Sequence, residues 1–215
     1  YDLVREQADV GEIRGRHPVL AGVIGERQVV VKRLFHGGST ASLWKDRFLS
    51  TRRAFCVREA VEHLARHDIP TPELFFLTWI RQNGLVRAEI GFERIFGKDA
   101  DHLFFENENP PENWEEKADQ IGSLAAELHQ SEFEHGDLNM MNIFFAENGG
   151  CYILDLDKVE LHRGGLDPST RSRNLARLER SIRKQGRIHG RPHQFVDAVV
   201  ERVQQAYDRL ADDSR

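Results

Sequence analysis

The sequence predicts an α+β protein, rich in strands toward its N-terminus and mainly helical toward its C-terminus. Three observations predict it. Short β-branched or alternating runs, Val19 to Ile24, Val29 to Leu34, Leu74 to Ile80 and Leu85 to Ile95, are gathered in the first part of the chain. Apolar stripes at helical spacing mark Trp114 to His129, Arg171 to Lys184 and His193 to Leu210. Between the two sets lies a polar loop, His135 to Asn142, followed by a short apolar run that ends in Asp155.

The chain has 215 residues, enough for one domain or for two small lobes around a cleft. With 40% hydrophobic and 30% charged residues, it has the composition of a globular protein with a core. A net charge of −5 argues against a general nucleic-acid binder. Two cysteines, Cys56 and Cys151, are too few for a disulfide framework or a four-ligand zinc site, and their apolar surroundings suggest buried, inert thiols. No apolar run approaches the ~20 residues that cross a bilayer, and no signal peptide is evident. The expected location is the cytoplasm, and the start at Tyr1 leaves room for upstream residues.

In chain order, Val10 to Pro18 is punctuated by Gly11 and Gly15. Such a loop can close over phosphates through its backbone N–H groups, or it can be an ordinary surface turn. The next two runs, separated by Gly25 to Gln28, suggest a hairpin. Lys32 ends its second strand, where it can meet nucleotide phosphates as a point charge or simply be solvated. Arg53 to His67 reads as a helix with a Val57, Ala60, Val61, Leu64 stripe, ended by Ile69 to Pro72. Glu59 and Glu62 on it are candidates to hold Lys32, but Glu59 points ~200° away from Val57. Asn83-Gly84 between apolar runs is a strong hairpin signal, because both residues tolerate positive φ. The second strand runs into Phe92 to Gly97, where Glu93 and Ile95 could offer backbone groups to adenine.

The polar loop carries the chemistry. Asp137, then Asn142 five residues on, then Asp155 at the end of an apolar run is an arrangement that phosphoryl transfer uses. The first acid can orient a hydroxyl, while the amide and the second acid can hold magnesium on the phosphates of ATP. The bland alternative is turn chemistry between a helix and a strand. Ile143 to Phe145 and Tyr152 to Leu154 would pair as a hairpin, placing Asn142 and Asp155 at its two outer ends. Farther on, Arg177, Arg180, Arg183, Lys184 and Arg187 form a basic face, either solvated or meeting an anionic acceptor or membrane surface.

The order of glycine loop, strand lysine, helix, hairpin, hinge, helix, polar loop and Asp hairpin is that of the protein-kinase-like two-lobed fold. It implies an N-lobe over 1–96 and a C-lobe over 97–215. Six stretches narrow the resemblance: Lys32 to Gly38, Leu43 to Leu49, Arg53 to Phe55, His135 to Asn139, Ile153 to Asp157 and Asn174 to Ser181. Over nearly the whole chain they resemble the lipopolysaccharide core kinase family, most of all the 3-deoxy-D-manno-octulosonic acid (Kdo) kinases.

That resemblance implies an ATP-dependent kinase that phosphorylates the 4-hydroxyl of Kdo on a lipid A precursor. Its acceptor would be a lipid-linked core oligosaccharide, and it would lie on the cytoplasmic face of a Gram-negative inner membrane. It also implies Asp137 as the catalytic acid/base residue, Asn142 and Asp155 on Mg2+ with Asp157 assisting, and Lys32 on the ATP phosphates. Neither nucleic acid nor an obligate protein partner is expected. The sequence departs from the family at three places: Val57 stands where the helix acid is expected, His17 where a phosphate-loop glycine is expected, and Asn139 where protein kinases carry lysine. The last departure favours a sugar over a protein substrate. Alternative readings are a heptose or small-molecule kinase of the same fold and a nucleotide-binding pseudokinase scaffold.

Overall fold

The computed structural model describes residues 11–13 by their backbone, and residues 19–34, 48–107 and 109–212 in full. Gly15 and His17, and most of the stretches ending at Gly38 and Leu49, lie outside the described residues. The chain divides into two compact units, one of 1–62 with 72–95 and one of 63–71 with 96–215. The first is rich in sheet and the second mainly helical, an organisation compatible with a kinase-like fold.

The first unit is built on a five-stranded antiparallel sheet of order β1-β2-β3-β5-β4. Its strands are β1 (Gly11–Ile13), β2 (Val19–Ile24), β3 (Arg27–Arg33), β4 (Leu74–Gln82) and β5 (Leu85–Glu93). Gly11 therefore belongs to a strand, paired with Ala21, rather than to a loop. Alternation on β3 buries Val29 and Val31, which pack with Leu20, Phe75 and Phe76. The β4–β5 turn is the expected one, with Asn83 at φ 53° and Gly84 at φ 78°. Helix α1 (Arg52–Arg66) buries Ala54, Val57, Ala60 and Leu64.

In the second unit, residues after α1 are tied down by backbone bonds rather than by a further element. Ile153 N–H donates to Pro70 O (2.9 Å), and Thr71 Oγ1 donates to Ile153 O (2.9 Å). A three-stranded sheet of order β6-β8-β9 uses Gly97–Asp99, Ile143–Ala146 and Cys151–Ile153. A two-stranded sheet pairs β7 (Phe133–His135) with β10 (Val159–Leu161). Helices α2 (Trp114–Gln130), α3 (Pro168–Ile188) and α4 (His193–Asp212) supply most of the core.

α2 and α4 approach closely at Gly122, where a Cβ would stand 2.3 Å from Val203 O, so only glycine fits there. A bidentate pair, Arg202 on Asp119, clamps the same two helices and holds the Asp119 carboxyl below its usual range, with Arg209 adding to it. α3 starts at a strong cap: the Asp167 carboxylate accepts from the N–H groups of Ser169 (2.9 Å) and Thr170 (3.0 Å), with Pro168 at the first turn. Both cysteines are free and half-buried, and burial pushes the Cys151 thiol up to about 12. Among the described residues, no helix is long and apolar enough to cross a membrane.

Candidate active site

His135 sits at the end of β7, fully buried, and organises the polar loop that follows. Its Nδ1 accepts from the Asp137 N–H (3.2 Å), so the ring proton is on Nε2, which donates to Leu154 O (2.9 Å). One neutral imidazole thus links the residue at Asp137 with the residue just before Asp155. Burial lowers the His135 pKa, which keeps the ring in the neutral form that this double role needs.

The loop backbone is tied to its own side chains. Asp137 O accepts from Asn142 Nδ2 (2.8 Å) and from Asn139 Nδ2 (2.7 Å), and Asn139 Oδ1 accepts from Met141 N–H (3.0 Å). The amide of Asn142 is thereby oriented with its nitrogen inward, leaving its oxygen as the candidate ligand atom. Asn139, at the position where protein kinases carry lysine, serves here as a loop brace. Gly136 N–H donates to Lys158 O (2.7 Å), an approach so close that a Cβ would lie 2.3 Å from that oxygen.

The β8–β9 hairpin joins the two candidate metal-binding positions, Asn142 and Asp155. Ile143 pairs with Ile153, and Leu154 N–H donates to Asn142 O (2.8 Å), so Asn142 and Asp155 are backbone neighbours at the hairpin's open end. Asp155 itself adopts a left-handed backbone, φ 61° and ψ 58°, and is exposed. A non-glycine residue in this region is held by its surroundings, as strained residues at functional sites commonly are. Asp157 is half-buried in the short 3-10 turn Leu156–Lys158.

A second layer connects the loop to the helices behind it. Asn174 on α3 donates from Nδ2 to His135 O (2.8 Å), and its Oδ1 faces His129 Nε2 (3.0 Å). His129 Nδ1 meets the Tyr207 hydroxyl of α4 (2.9 Å). Because Asn174 Oδ1 can only accept, His129 carries its proton on Nε2 and accepts the Tyr207 O–H at Nδ1. Burial lowers the His129 pKa and so favours this neutral form. One and two turns along the same helix, Arg177 Nη1 donates to Asp137 Oδ1 (3.2 Å) and Ser181 Oγ accepts from Met140 N–H (3.1 Å). Lys158 Nζ lies 3.9 Å from Asp137 Oδ2. The sequence offers Arg177 only as one member of a basic face, solvated or meeting an anionic acceptor or membrane surface, and gives no role to Asn174 or Ser181. The available signal was their spacing, three and seven residues along one helix, which puts all three on one side of it.

The first unit carries the remaining candidates. Lys32 is half-buried on β3, paired in register with Val19 and Ile90. Glu59 is exposed on α1 and makes no ion pair with a described residue, because the helical phase that buries Val57 and Ala60 turns Glu59 outward. Glu93 is the last residue of β5, with its N–H bonded to Glu73 O (2.8 Å), and Ile95 follows two residues later. Gly15 lies outside the described residues.

A strand-rich unit followed by a helical one, with an Asp/Asn/Asp set braced on a buried histidine, is the organisation of a kinase-like phosphotransferase. Residues 2–207 match the lipopolysaccharide kinase (Kdo/WaaP) family, and the chain belongs to it. It is similar to the 3-deoxy-D-manno-octulosonic acid kinase of Xylella fastidiosa (strain M12), 32% identical over 89% of this chain and 79% of that protein. The kinases of the same name from Xanthomonas campestris pv. campestris (strain B100) and Xanthomonas oryzae pv. oryzae (strain PXO99A) are each 30% identical over 83% of this chain and 70% of theirs. The chain is an ATP-dependent phosphotransferase of lipopolysaccharide core biosynthesis.

Proposed function

We propose that the chain transfers the γ-phosphoryl group of ATP to the 4-hydroxyl of Kdo on a lipid A precursor, at the cytoplasmic face of a Gram-negative inner membrane. The observation that supports this reading is that His135 holds the Asp137 N–H and the carbonyl of Leu154, just before Asp155, while Asn142 bonds Asp137 O, in a chain whose relatives are named for kinases of that sugar acid. In the corresponding two-lobed arrangement, 1–96 is the N-lobe and 97–215 the C-lobe.

Asp137 accepts a hydrogen bond from the acceptor hydroxyl and aligns it for attack, so that its main contribution is position. Its main chain is held at both ends, by His135 at the N–H and by two asparagine amides at the carbonyl. Asn142 Oδ1 and the Asp155 carboxylate are hard oxygen donors on adjacent backbone positions, with Asp157 close in sequence, and this donor set fits magnesium. When bound there, the ion would neutralise charge on the phosphate oxygens. Lys32, with Gly15 and the backbone around Glu93 and Ile95, is assigned to the nucleotide. Glu59 is a weaker candidate, since it faces solvent.

The test is the mass of core oligosaccharide from cells with the active protein and from cells lacking it. A gain of one phosphate on Kdo is expected; the same phosphate on a heptose would replace the acceptor assigned above.

Membrane contact rests on α3. Arg177, Arg180, Lys184 and Arg187 fall within an arc of roughly 80° at 100° per residue. Arg180, Lys184 and Arg187 are exposed and without an ion pair among the described residues, whereas Arg183 is engaged by Glu179 and Asp197. Each basic residue near an anionic surface contributes about 1 kcal/mol. Reversing the charge at Arg180, Lys184 and Arg187 together is therefore expected to weaken co-sedimentation with phosphatidylglycerol vesicles by about 100-fold or more at low salt. Binding that survives this change, or that is indifferent to salt, would remove α3 as the contact.

A further inference from the structure

We propose that Arg177 is the residue that recognises the anionic group of the acceptor, so that the enzyme selects a sugar acid over a neutral sugar. The inference rests on the sugar-phosphorylation reading above and deepens it. Three side chains on one face of α3 reach the catalytic loop: Asn174 bonds His135 O, Ser181 accepts from Met140 N–H, and Arg177 lies between them on Asp137 Oδ1. The neighbours one turn to either side are pinned, so the base of the Arg177 side chain is set relative to Asp137 before any acceptor arrives.

The guanidinium is only partly used. One donor, Nη1, reaches Asp137 at 3.2 Å, and the side chain is 46% exposed. Five N–H donors in a planar fork suit a carboxylate, and the contact to Asp137 leaves donors over for a second one. Lys158 approaches the other oxygen of Asp137 at 3.9 Å and is 53% exposed. Two cations thus face the single carboxylate of Asp137, and the Arg177 fork keeps donors beside the group proposed to orient the acceptor hydroxyl. The loop itself brings no lysine or arginine, and Asn139 is turned to the backbone. An acceptor carrying a carboxylate would engage the rest of the fork. A neutral sugar would leave Arg177 on Asp137 Oδ1, competing with the hydroxyl for the same carboxylate.

The same cation could instead serve the γ-phosphoryl group, and kinetics separate the two anions. The acceptors are a Kdo-bearing lipid A precursor and the same molecule with its Kdo carboxylate converted to the methylamide. For Arg177→Gln, KM for the natural acceptor is expected to rise about 10- to 100-fold, the loss of one charge-assisted hydrogen bond, while KM for ATP stays within about twofold. Towards the methylamide the variant should show no rise in KM over wild type, since the bond is already missing and the competition of Arg177 for Asp137 is relieved. Arg177→Lys keeps the charge without the fork, and should show the same contrast between acceptors at a smaller ratio if the glutamine variant folds poorly. Equal losses on both acceptors, or a rise confined to KM for ATP, would overturn the proposal and leave the Kdo kinase reading intact. Wild-type protein that phosphorylates neither acceptor would overturn both.

Discussion

Asp137→Asn is expected to lower kcat by about 10²- to 10⁴-fold and to leave ATP affinity within about threefold. The substitution is isosteric, and an asparagine oxygen can still accept from Arg177, so the loop should keep its shape. What disappears is the carboxylate proposed above to align and accept from the acceptor hydroxyl. A thousandfold loss corresponds to about 4 kcal/mol of transition-state stabilisation, a reasonable amount for one positioned acid/base group. Nucleotide contacts are assigned to other residues, so titration with a fluorescent ATP analogue should report near-normal binding. Unchanged turnover in this variant would remove the proposed mechanism, whatever the acceptor.

Asn174→Leu is expected to be the most damaging single change to stability among the residues around the loop. Asn174 is 3% exposed, and its amide satisfies two groups that are themselves buried, His129 Nε2–H and His135 O. Leucine fills similar space but leaves both without a partner. Each unsatisfied buried group costs about 1–3 kcal/mol, so the sum for the two is about 2–6 kcal/mol out of a typical stability of about 5–15 kcal/mol. For a chain of this size the melting temperature should fall by roughly 5–15 °C. A drop under about 2 °C would show that the network is dispensable.

The same network gives the wild-type protein a pH signature. Burial holds the His129 and His135 pKa values below their unfolded values, so near pH 6 the unfolded chain binds more protons than the folded one. Their contribution is fully present above the unfolded pKa of about 6.5 and is lost as pH falls below it. Thermal melts at pH 7.5 and 5.5 should show the lower value at 5.5. That window lies above the range in which Asp119, held low by Arg202, takes up a proton, whereas the carboxyls of Asp99, Asp101 and Glu127, raised by burial, act against the histidine trend.

Local signals account for the parts of the fold that were legible. The Asn83-Gly84 turn is readable because only residues tolerant of positive φ close a two-residue hairpin. α1, α2 and α4 are readable because their apolar residues repeat with the helical period. The β7–β10 pair was not readable, since each strand is three residues long and its partner lies far along the chain. Nor was β6, which pairs with β8 across α2, or the π-helical turn His102–Glu106. Such elements are decided by what packs against them, and no short window contains that information.

The candidate site divides in the same way. Asp137, Asn142 and Asp155 stand out because an acid, an amide and a second acid at those intervals suit phosphate chemistry, and the hairpin between the last two is local. Arg177 reads as one of five basic residues that are solvated or meet an anionic acceptor or membrane surface, because periodicity defines a face of a helix and does not choose what it meets. Only the packing of α3 against the loop turns that face into three bonds, from Asn174, Arg177 and Ser181. The sequence by itself thus determined the candidate residue types for phosphate chemistry and most of the local elements. The tertiary structure decided that His135 is the buried hub, that Asp155 takes a left-handed backbone, and that a cation from a distant helix sits on Asp137. Long-range hydrogen bonds and burial set those features, and neither has a period along the chain.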